Sequence, residues 1–237
     1  GEVKVVTNLA PTKQQLQDYF TELSSGPGHE YFRPNAWPNT PDILHEQLQT
    51  GESAVYMARL VLAATLAASY GIYGPAYELR DHLPRESGSE EYRDSEKYQL
   101  RTWNHDDPGS LAAFIARVNR VRHDNPALQR DDGLRFLPID NDQLLAYTKS
   151  EPDGDNVVVT IVNLDPQRVQ SGWLALDPAS IKVDPAQPFQ MHDQLSNQRF
   201  NWQGQHHFVR LDPATVPAHI FVVRRRTRDE RDFDYFL

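Results

Sequence analysis

The hydrophobic pattern of this sequence changes its period near residue 130, and that change restricts the folds open to the chain. Before it, β-branched or aromatic runs alternate with segments whose apolar residues recur at helical spacing, such as Leu16, Phe20 and Leu23. Beyond it, short strand-like runs are separated by turn-forming residues. The first half therefore predicts a parallel sheet with right-handed strand–helix crossovers, and the second half predicts an antiparallel sandwich.

Three helices are predicted in the first half. Thr12 and Gln15 have the spacing of a capping box, so a helix is expected to begin at Thr12. The segment from about Glu52 to about Ala68 is apolar on nearly all sides, which predicts a helix buried on more than one face. Asp107-Pro108 is typical of an acidic cap followed by proline at the first helical position. Strands are expected at Val3–Val6, near Tyr31–Phe32 and at Tyr70–Tyr73.

Six strands are predicted in the second half, at Leu134–Leu137, Leu144–Tyr147, Val157–Asn163, Trp173–Leu176, Phe208–Leu211 and Ile220–Val223. Three strand–helix units are too few to close an eight-stranded barrel, but they suit the last three units of one. The predicted fold class is α/β plus all-β: the end of a TIM-type barrel over residues 1–130, followed by an antiparallel β-sandwich domain over residues 131–226. Residues 227–237 form a charged and aromatic tail, expected to be frayed or docked on a neighbour.

The charge balance argues against two classes of partner. The chain has 237 residues, with 24 Lys and Arg against 33 Asp and Glu, a net charge of −9. Nucleic acids and anionic membranes bind basic surfaces, so neither is expected as a partner. The longest nearly apolar run, Leu60–Ala68, is less than half the length of a membrane span. The sequence has no cysteine, which removes disulfides and thiolate chemistry and fits a reducing compartment, so a cytoplasmic location is expected.

Three candidate metal motifs lack the spacing that a metal site needs. His45-Glu46 has Gln49 where a zinc peptidase motif needs its second histidine. Asp153-Gly-Asp155 has the wrong spacing for a calcium loop and lies where a hairpin turn is expected. His206-His207 adjoins a strand without a further ligand at metal spacing, so a surface pair is the simpler interpretation. No metal is therefore predicted, and because the sequence has no phosphate-binding glycine fingerprint either, no cofactor is predicted.

Two polar segments that follow candidate strands are the best candidates for a site. They are Tyr31–Leu44 and Glu91–Tyr98. In a barrel, the loops that follow the strands build the face that carries the chemistry. Asp42 also has a structural interpretation, which the residues alone favour: Thr40 caps a short helix, Pro41 opens it, and Asp42 complements the helix dipole. Lys97 taken alone is more often a solvated side chain than a ligand contact.

The same two segments resemble a known family. Asn39-Thr-Pro-Asp42 is similar to the signature near the end of the seventh barrel strand in the α-amylase superfamily, where general amylases have Asn-His-Asp and this sequence has Pro41 instead of histidine. Asp94-Ser-Glu-Lys-Tyr98, with further matches at residues 60–73 and 119–129, narrows the resemblance to the α-1,4-glucan:maltose-1-phosphate maltosyltransferases. The resemblance runs from about Val3 to the region of Arg224 and covers nearly the whole chain.

The resemblance implies retaining transfer of a maltosyl unit from maltose 1-phosphate to α-1,4-glucan, with three carboxylates and without a metal or nucleotide. Among the three, the residue that stabilises the transition state has a match here, Asp42. Lys97 matches the lysine of the donor site, and Tyr98 and Asn39 are expected to support the site as substrate-binding residues. No match to the nucleophile or to the acid/base residue precedes Val3, so an inactive C-terminal piece of a longer enzyme is expected. The family also implies a homodimer formed through the N-terminal part of that enzyme.

Two other functions stay open at this stage. One is a different α-amylase-superfamily enzyme, such as a hydrolase or a transglycosidase, which release of orthophosphate from maltose 1-phosphate would separate from the first. The other is a non-catalytic glycan-binding module that uses Trp173 and Trp202 of the second half. Large aromatic side chains are more often buried than exposed, so a position in the sandwich core is the simpler expectation for both.

Overall fold

A computed structural model describes residues 12–224 and the backbone of residues 4–6. The tail predicted at residues 227–237 lies outside the described residues. In this part of the chain the α-helices are α1 (Lys13–Ser25), α2 (Ser53–Leu66), α3 (Gly74–Glu78) and α4 (Ala112–Asp124), with short 3-10 helices at Pro27–Glu30, Glu46–Thr50, Pro126–Gln129 and Pro178–Ile181. The strands are β1 (Lys4–Val6), β2 (Asn35–Trp37), β3 (Ser69–Tyr70), β4 (Leu134–Leu137), β5 (Leu144–Ser150), β6 (Val157–Asn163), β7 (Gln170–Ala175), β8 (Phe189–Asp193), β9 (Arg199–Trp202), β10 (His206–Leu211) and β11 (Ala218–Arg224).

The first half forms a three-stranded parallel sheet in the order β1-β2-β3, with helices between the strands. α1 begins where the capping box predicts. The side chain of Thr12 accepts from the N–H of Gln15 (3.3 Å), and Oε1 of Gln15 accepts from the N–H of Thr12 (2.9 Å). α2 is also confirmed: Glu52 is its N-cap, and the helix is buried on nearly all sides.

Two strands of the first half differ from the sequence prediction. The strand expected near Tyr31–Phe32 is wrong, because Pro27–Glu30 forms a 3-10 helix and leaves Tyr31 exposed, and the strand β2 follows it. The strand expected at Tyr70–Tyr73 ends at Tyr70, because Tyr73 is the N-cap of α3 and Gly74 its first residue. Both parallel strands are therefore short, and the residues directly beyond them are free to build loops.

The start of the third predicted helix is also wrong. The carboxylate of Asp107 accepts a hydrogen bond from the N–H of Gly109 (2.7 Å), and its carbonyl accepts from the N–H of Ser110 (3.0 Å). These bonds close a turn at Asp107-Pro108, and α4 begins later, at Ala112. An Asp-Pro pair suits a turn as well as a helix start, and here the turn is formed.

The second half forms two antiparallel sheets, in agreement with the predicted sandwich: six strands in the order β4-β5-β6-β11-β8-β9, and a second sheet of β7 and β10. The sequence pattern does not predict β8 and β9. In β8, polar residues obscure the alternation in which Phe189, Met191 and Asp193 are buried. Of the two tryptophans expected in the core, Trp202 is buried, whereas Trp173 is exposed and that expectation is wrong. The apolar core of the sandwich includes Val159, Ile161, Leu174, Phe189 and Leu211.

The two halves meet along an apolar seam. β6 is buried along its whole length, and one of its faces contributes to the sandwich core. On the other face, Val158 and Val162 belong to one apolar cluster with Leu60 of α2 and Val118 of α4. The helices of the first half therefore cover the six-stranded sheet. The two halves of the described chain are packed against each other through one apolar cluster. Their division into domains near residue 130 stays a prediction.

Candidate functional site

Asp42 lies in a tight turn beyond the end of β2. The N–H of Thr40 donates to the carbonyl of Ile43 (3.2 Å), and the N–H of Ile43 donates back to the carbonyl of Thr40 (3.1 Å), which places Asp42 at the tip. The interpretation of Asp42 as part of a helix start is wrong, because the next helical segment begins at Glu46 and is capped by His45. The turn holds the Asp42 carboxylate at the surface, with 49% of its side chain exposed.

Lys97 reaches Asp42 from a second loop, which lies between α3 and α4 in the long segment that follows β3. Its Nζ lies 3.2 Å from Oδ1 of Asp42, and 51% of the Lys97 side chain is exposed. The same Nζ lies 5.4 Å from the centre of the exposed Tyr98 ring. The hydrogen bond to Asp42 is the main cause that raises the pKa of Lys97, so the side chain is an ammonium at neutral pH. Two residues far apart in the sequence thus meet, as expected for loops that follow neighbouring parallel strands.

Asn39 connects the two loops from a buried position. Its Nδ2 donates to the hydroxyl of Tyr92 (2.8 Å) and to the carbonyl of Tyr73 (3.3 Å), and its Oδ1 accepts from the N–H of Tyr73 (2.9 Å). Because Asn39 follows β2 and Tyr73 follows β3, these bonds join the C-terminal ends of the two strands. Asn39 has no exposed surface, so it acts on the site by fixing the loop backbones. Its role toward a ligand stays a prediction.

A network that the sequence analysis did not single out holds the loop of Lys97. The carboxylate of Glu96 accepts hydrogen bonds from the Tyr73 hydroxyl and from Nε1 of Trp103, the latter at 3.1 Å. The guanidinium of Arg101 lies over the Trp103 ring, 4.0 Å from its centre. The bonds from Tyr73 and Trp103 lower the pKa of Glu96, while burial and then the bond to Glu96 raise the pKa of Tyr73. In the sequence, the one signal for this network is the position of Tyr73 at the end of a predicted strand.

The site can bind a ligand through hydrogen bonds to two side chains of opposite charge, Lys97 and Asp42. Among residues 12–224, no group of three or more His, Asp or Glu side chains is arranged to hold a metal ion. None of the helices between residues 12 and 224 has the length and hydropathy that a membrane span needs. Lys97 can donate to ligand hydroxyls and Asp42 can accept from them, and both are half-exposed.

Comparison with known proteins identifies relatives of the chain. The family model described as "GLGE, C-terminal" matches residues 136–223. The α-1,4-glucan:maltose-1-phosphate maltosyltransferase of Chlorobaculum tepidum is 48% identical over 90% of this chain and 32% of its own length. That of Methylacidiphilum infernorum is 46% identical over 87% of this chain and 31% of its own length. This chain is related to the C-terminal part of the maltosyltransferases. The resemblance seen in the sequence is confirmed, and the chain spans about a third of the length of these relatives.

Solved structures of similar fold include α-amylases. An α-amylase from Anoxybacillus superposes with a TM-score of 0.66 over 94% of this chain and 44% of its own, at 14% sequence identity. The α-amylase of Geobacillus thermoleovorans, in complex with acarbose, gives 0.60 over 93% of this chain and 46% of its own, at 16% identity. At these identities the likeness concerns the fold alone. The described residues therefore share the fold of part of an α-amylase, with two antiparallel sheets in the second half.

Proposed function

We propose that this chain is part of a retaining glycosyltransferase that moves a maltosyl unit from maltose 1-phosphate to the non-reducing end of an α-1,4-glucan. The observation that carries the proposal is the Asp42–Lys97 pair, formed beyond two parallel strands in a chain 48% identical to a maltosyltransferase. The proposal assigns the nucleophile and the acid/base residue to a part of the longer protein outside this chain. The pair then contributes to the donor site without performing the covalent step.

Asp42 is assigned the stabilisation of the transition state. In retaining transfer, positive charge develops on the sugar ring before the new glycosidic bond forms. A carboxylate fixed beside that charge stabilises it and can also accept hydrogen bonds from sugar hydroxyls. The Asp42 carboxylate is half-exposed at the tip of a turn closed by two backbone hydrogen bonds, so a sugar can contact it without disturbing the backbone.

Lys97 and Tyr98 are assigned to binding of the maltosyl unit. An ammonium has three N–H donors, and the contact with Asp42 leaves donors of Lys97 for ligand hydroxyls. The exposed Tyr98 ring beside Nζ adds an aromatic surface on which a sugar can pack. Asn39, buried between Tyr73 and Tyr92, keeps the two loops at their separation. This division of roles predicts that Lys97 affects donor binding and Asp42 affects the chemical step.

The proposal includes the organisation of the longer protein. Residues 1–130 are assigned to the last three units of an eight-stranded barrel and residues 131–226 to a C-terminal sandwich domain. The parallel order β1-β2-β3 and the superposition on α-amylases support this assignment. A cytoplasmic location and a homodimer formed through the N-terminal part belong to the same proposal. So do the substrates, maltose 1-phosphate and α-1,4-glucan, and the expectation that no metal, cofactor, nucleic acid or membrane takes part.

Release of orthophosphate from maltose 1-phosphate tests the proposal. The longer protein is expected to release phosphate in step with growth of a maltooligosaccharide acceptor, whereas the 237-residue chain alone is expected to be silent. A hydrolase would instead shorten the glucan and leave maltose 1-phosphate unchanged. Turnover by the purified, mass-verified chain would contradict the assignment of roles and point to another carboxylate in it, such as Asp94 or Glu96.

A further inference from the structure

We propose that the outer face of the sheet formed by β7 and β10 binds α-1,4-glucan, at a surface separate from the Asp42–Lys97 site. The choice of polymer rests on the proposed function, but the surface itself does not. It consists of exposed side chains that alternate with buried ones along the two strands. We call it the aromatic face; its residues are Ser171 and Trp173 of β7 and His206, Phe208 and Arg210 of β10.

Two exposed aromatic rings stand side by side at the centre of the aromatic face. Phe208 lies directly opposite Trp173 in the antiparallel register, and their ring centres are 5.6 Å apart in an edge-to-face arrangement. Each side chain is 54% exposed. Trp202 is placed differently: it is buried and stacks on His207, with ring centres 4.2 Å apart. The core of the sandwich is therefore filled without Trp173 and Phe208, and both rings present their outer sides to solvent.

Hydrogen-bonding groups surround these rings. A groove of about 580 Å³ runs beside Trp173 and His206 and is also lined by Lys13, Phe136 and Asp140. Within the described residues, the indole N–H of Trp173 and the imidazole of His206 make no hydrogen bond, so both are available to a ligand. A sugar ring has an apolar C–H face that packs on an aromatic ring and hydroxyls around its rim, so it would use both features of this surface.

The rim of the groove is held in place by bonds within the protein. Oδ1 of Asp140 accepts from the backbone N–H of Trp173 (2.6 Å). Nζ of Lys13, at the start of α1, donates to the carbonyls of Ile139 (2.9 Å) and Asn141 (3.1 Å). The loop between β4 and β5 is thereby fixed against both α1 and β7. A groove formed in advance lowers the entropy cost of ordering a binding site.

The charges around the aromatic face favour an uncharged ligand. Nη2 of Arg210 lies 3.9 Å from the carboxylate of Asp212, and Nζ of Lys13 lies 4.0 Å from that of Asp142. Each cation near the face thus has an acidic neighbour, and the chain as a whole carries a net charge of −9. These carboxylates would repel nucleic acids and other polyanions, whereas they would not repel a neutral glucan. A neutral polymer of sugar rings is also the acceptor in the proposed reaction.

Calorimetric titration with maltoheptaose tests this proposal, on the 237-residue chain and on the longer protein. Trp173→Ala and Phe208→Ala are each expected to weaken binding about tenfold, because each removes a ring at the centre of the face. Phe208→Leu keeps an apolar side chain but removes the ring, so it should also weaken binding. Tyr31→Ala, which removes an exposed ring outside the aromatic face, should leave binding unchanged.

Asp42→Asn distinguishes binding at the aromatic face from binding at the candidate site. This variant should keep the maltoheptaose binding that depends on Trp173. Equal affinity of the Trp173 and Phe208 variants and the unaltered chain would overturn the proposal. So would binding seen with the isolated chain but lost in the longer protein, which would mean that protein covers the face. If maltose 1-phosphate is not turned over while binding at the aromatic face persists, the proposed reaction fails and the glucan surface stands.

Discussion

Lys149 lies fully buried on β5, where it contacts the end of α2. Its Nζ donates to the carbonyl of Leu66 (3.2 Å), the last residue of α2, and to the carbonyl of Arg130. α2 has no glycine cap and no basic residue in its last turn, so a cation from another element takes over that role. Arg122 of α4 does the same for the carbonyls of Ala67 and Ala68. The substitution Lys149→Met removes this buried cation and keeps an apolar side chain of similar length.

The size of the expected change in unfolding free energy follows from the pKa of Lys149. Burial lowers this pKa from an ordinary value of 10.5 to about 8. Between about pH 8 and about pH 10.5 the unfolded chain therefore holds a proton that the folded chain has lost, so the free energy of unfolding rises with pH across this window. The full shift corresponds to about 3 kcal/mol. Between about pH 7.5 and about pH 9.5, the gain from Lys149 is about 2 kcal/mol.

Urea unfolding of the 237-residue chain at these two pH values measures the effect. The difference in unfolding free energy between them is expected to be about 2 kcal/mol smaller in Lys149→Met than in the unaltered chain. Lys97→Met is the matched control, because the pKa of that exposed lysine is raised and its proton is retained across the window. An unchanged pH dependence in Lys149→Met would refute the argument from burial.

Two further predictions concern the fold. Burial raises the pKa of Asp193, but hydrogen bonds from His219 and its neighbours outweigh burial and leave the pKa below its ordinary value. The stability it contributes is lost as the pH falls below about 4, so Asp193→Asn should flatten the acid side of a plot of Tm against pH. Gly133 has a φ of +77°, and a Cβ there would overlap a backbone carbonyl, so Gly133→Ala should lower the unfolding free energy by about 2 kcal/mol or more. Gly88→Ala, with a φ of +80° but open space, should cost less in the same urea titration.

Much of the fold follows from local patterns in the sequence. Three elements form where the sequence predicts them: α1 after the capping box at Thr12, the apolar helix α2, and the strand Val157–Asn163. In each, residue propensity, hydrophobic periodicity and burial favour the same structure. The pattern fails where two local structures suit the same residues, as at Asp107-Pro108, which closes a turn. It also fails at β8, where Asp193 occupies an inward position and interrupts the apolar alternation.

The candidate site required more than local patterns. Local chemistry favours a helix start for Asp42, whereas the resemblance to a family predicts that Asp42 shares a site with Lys97. The structure contains this pair. The network of Glu96, Tyr73 and Trp103 could not be predicted, because its members lie on separate segments that meet beyond β3. The exposure of Trp173 is likewise a property of the outer sheet, which strand periodicity alone does not reveal.

The most direct test of the account is the turnover of maltose 1-phosphate by the longer protein carrying Asp42→Asn. If Asp42 stabilises the transition state, kcat should fall by about 10²–10³-fold while the KM for maltose 1-phosphate changes little. Asp142→Asn, which removes an exposed carboxylate of the sandwich, is the control and should retain full activity. Unchanged kcat in Asp42→Asn, in a protein that folds normally, would contradict the assignment of the Asp42–Lys97 pair to the donor site.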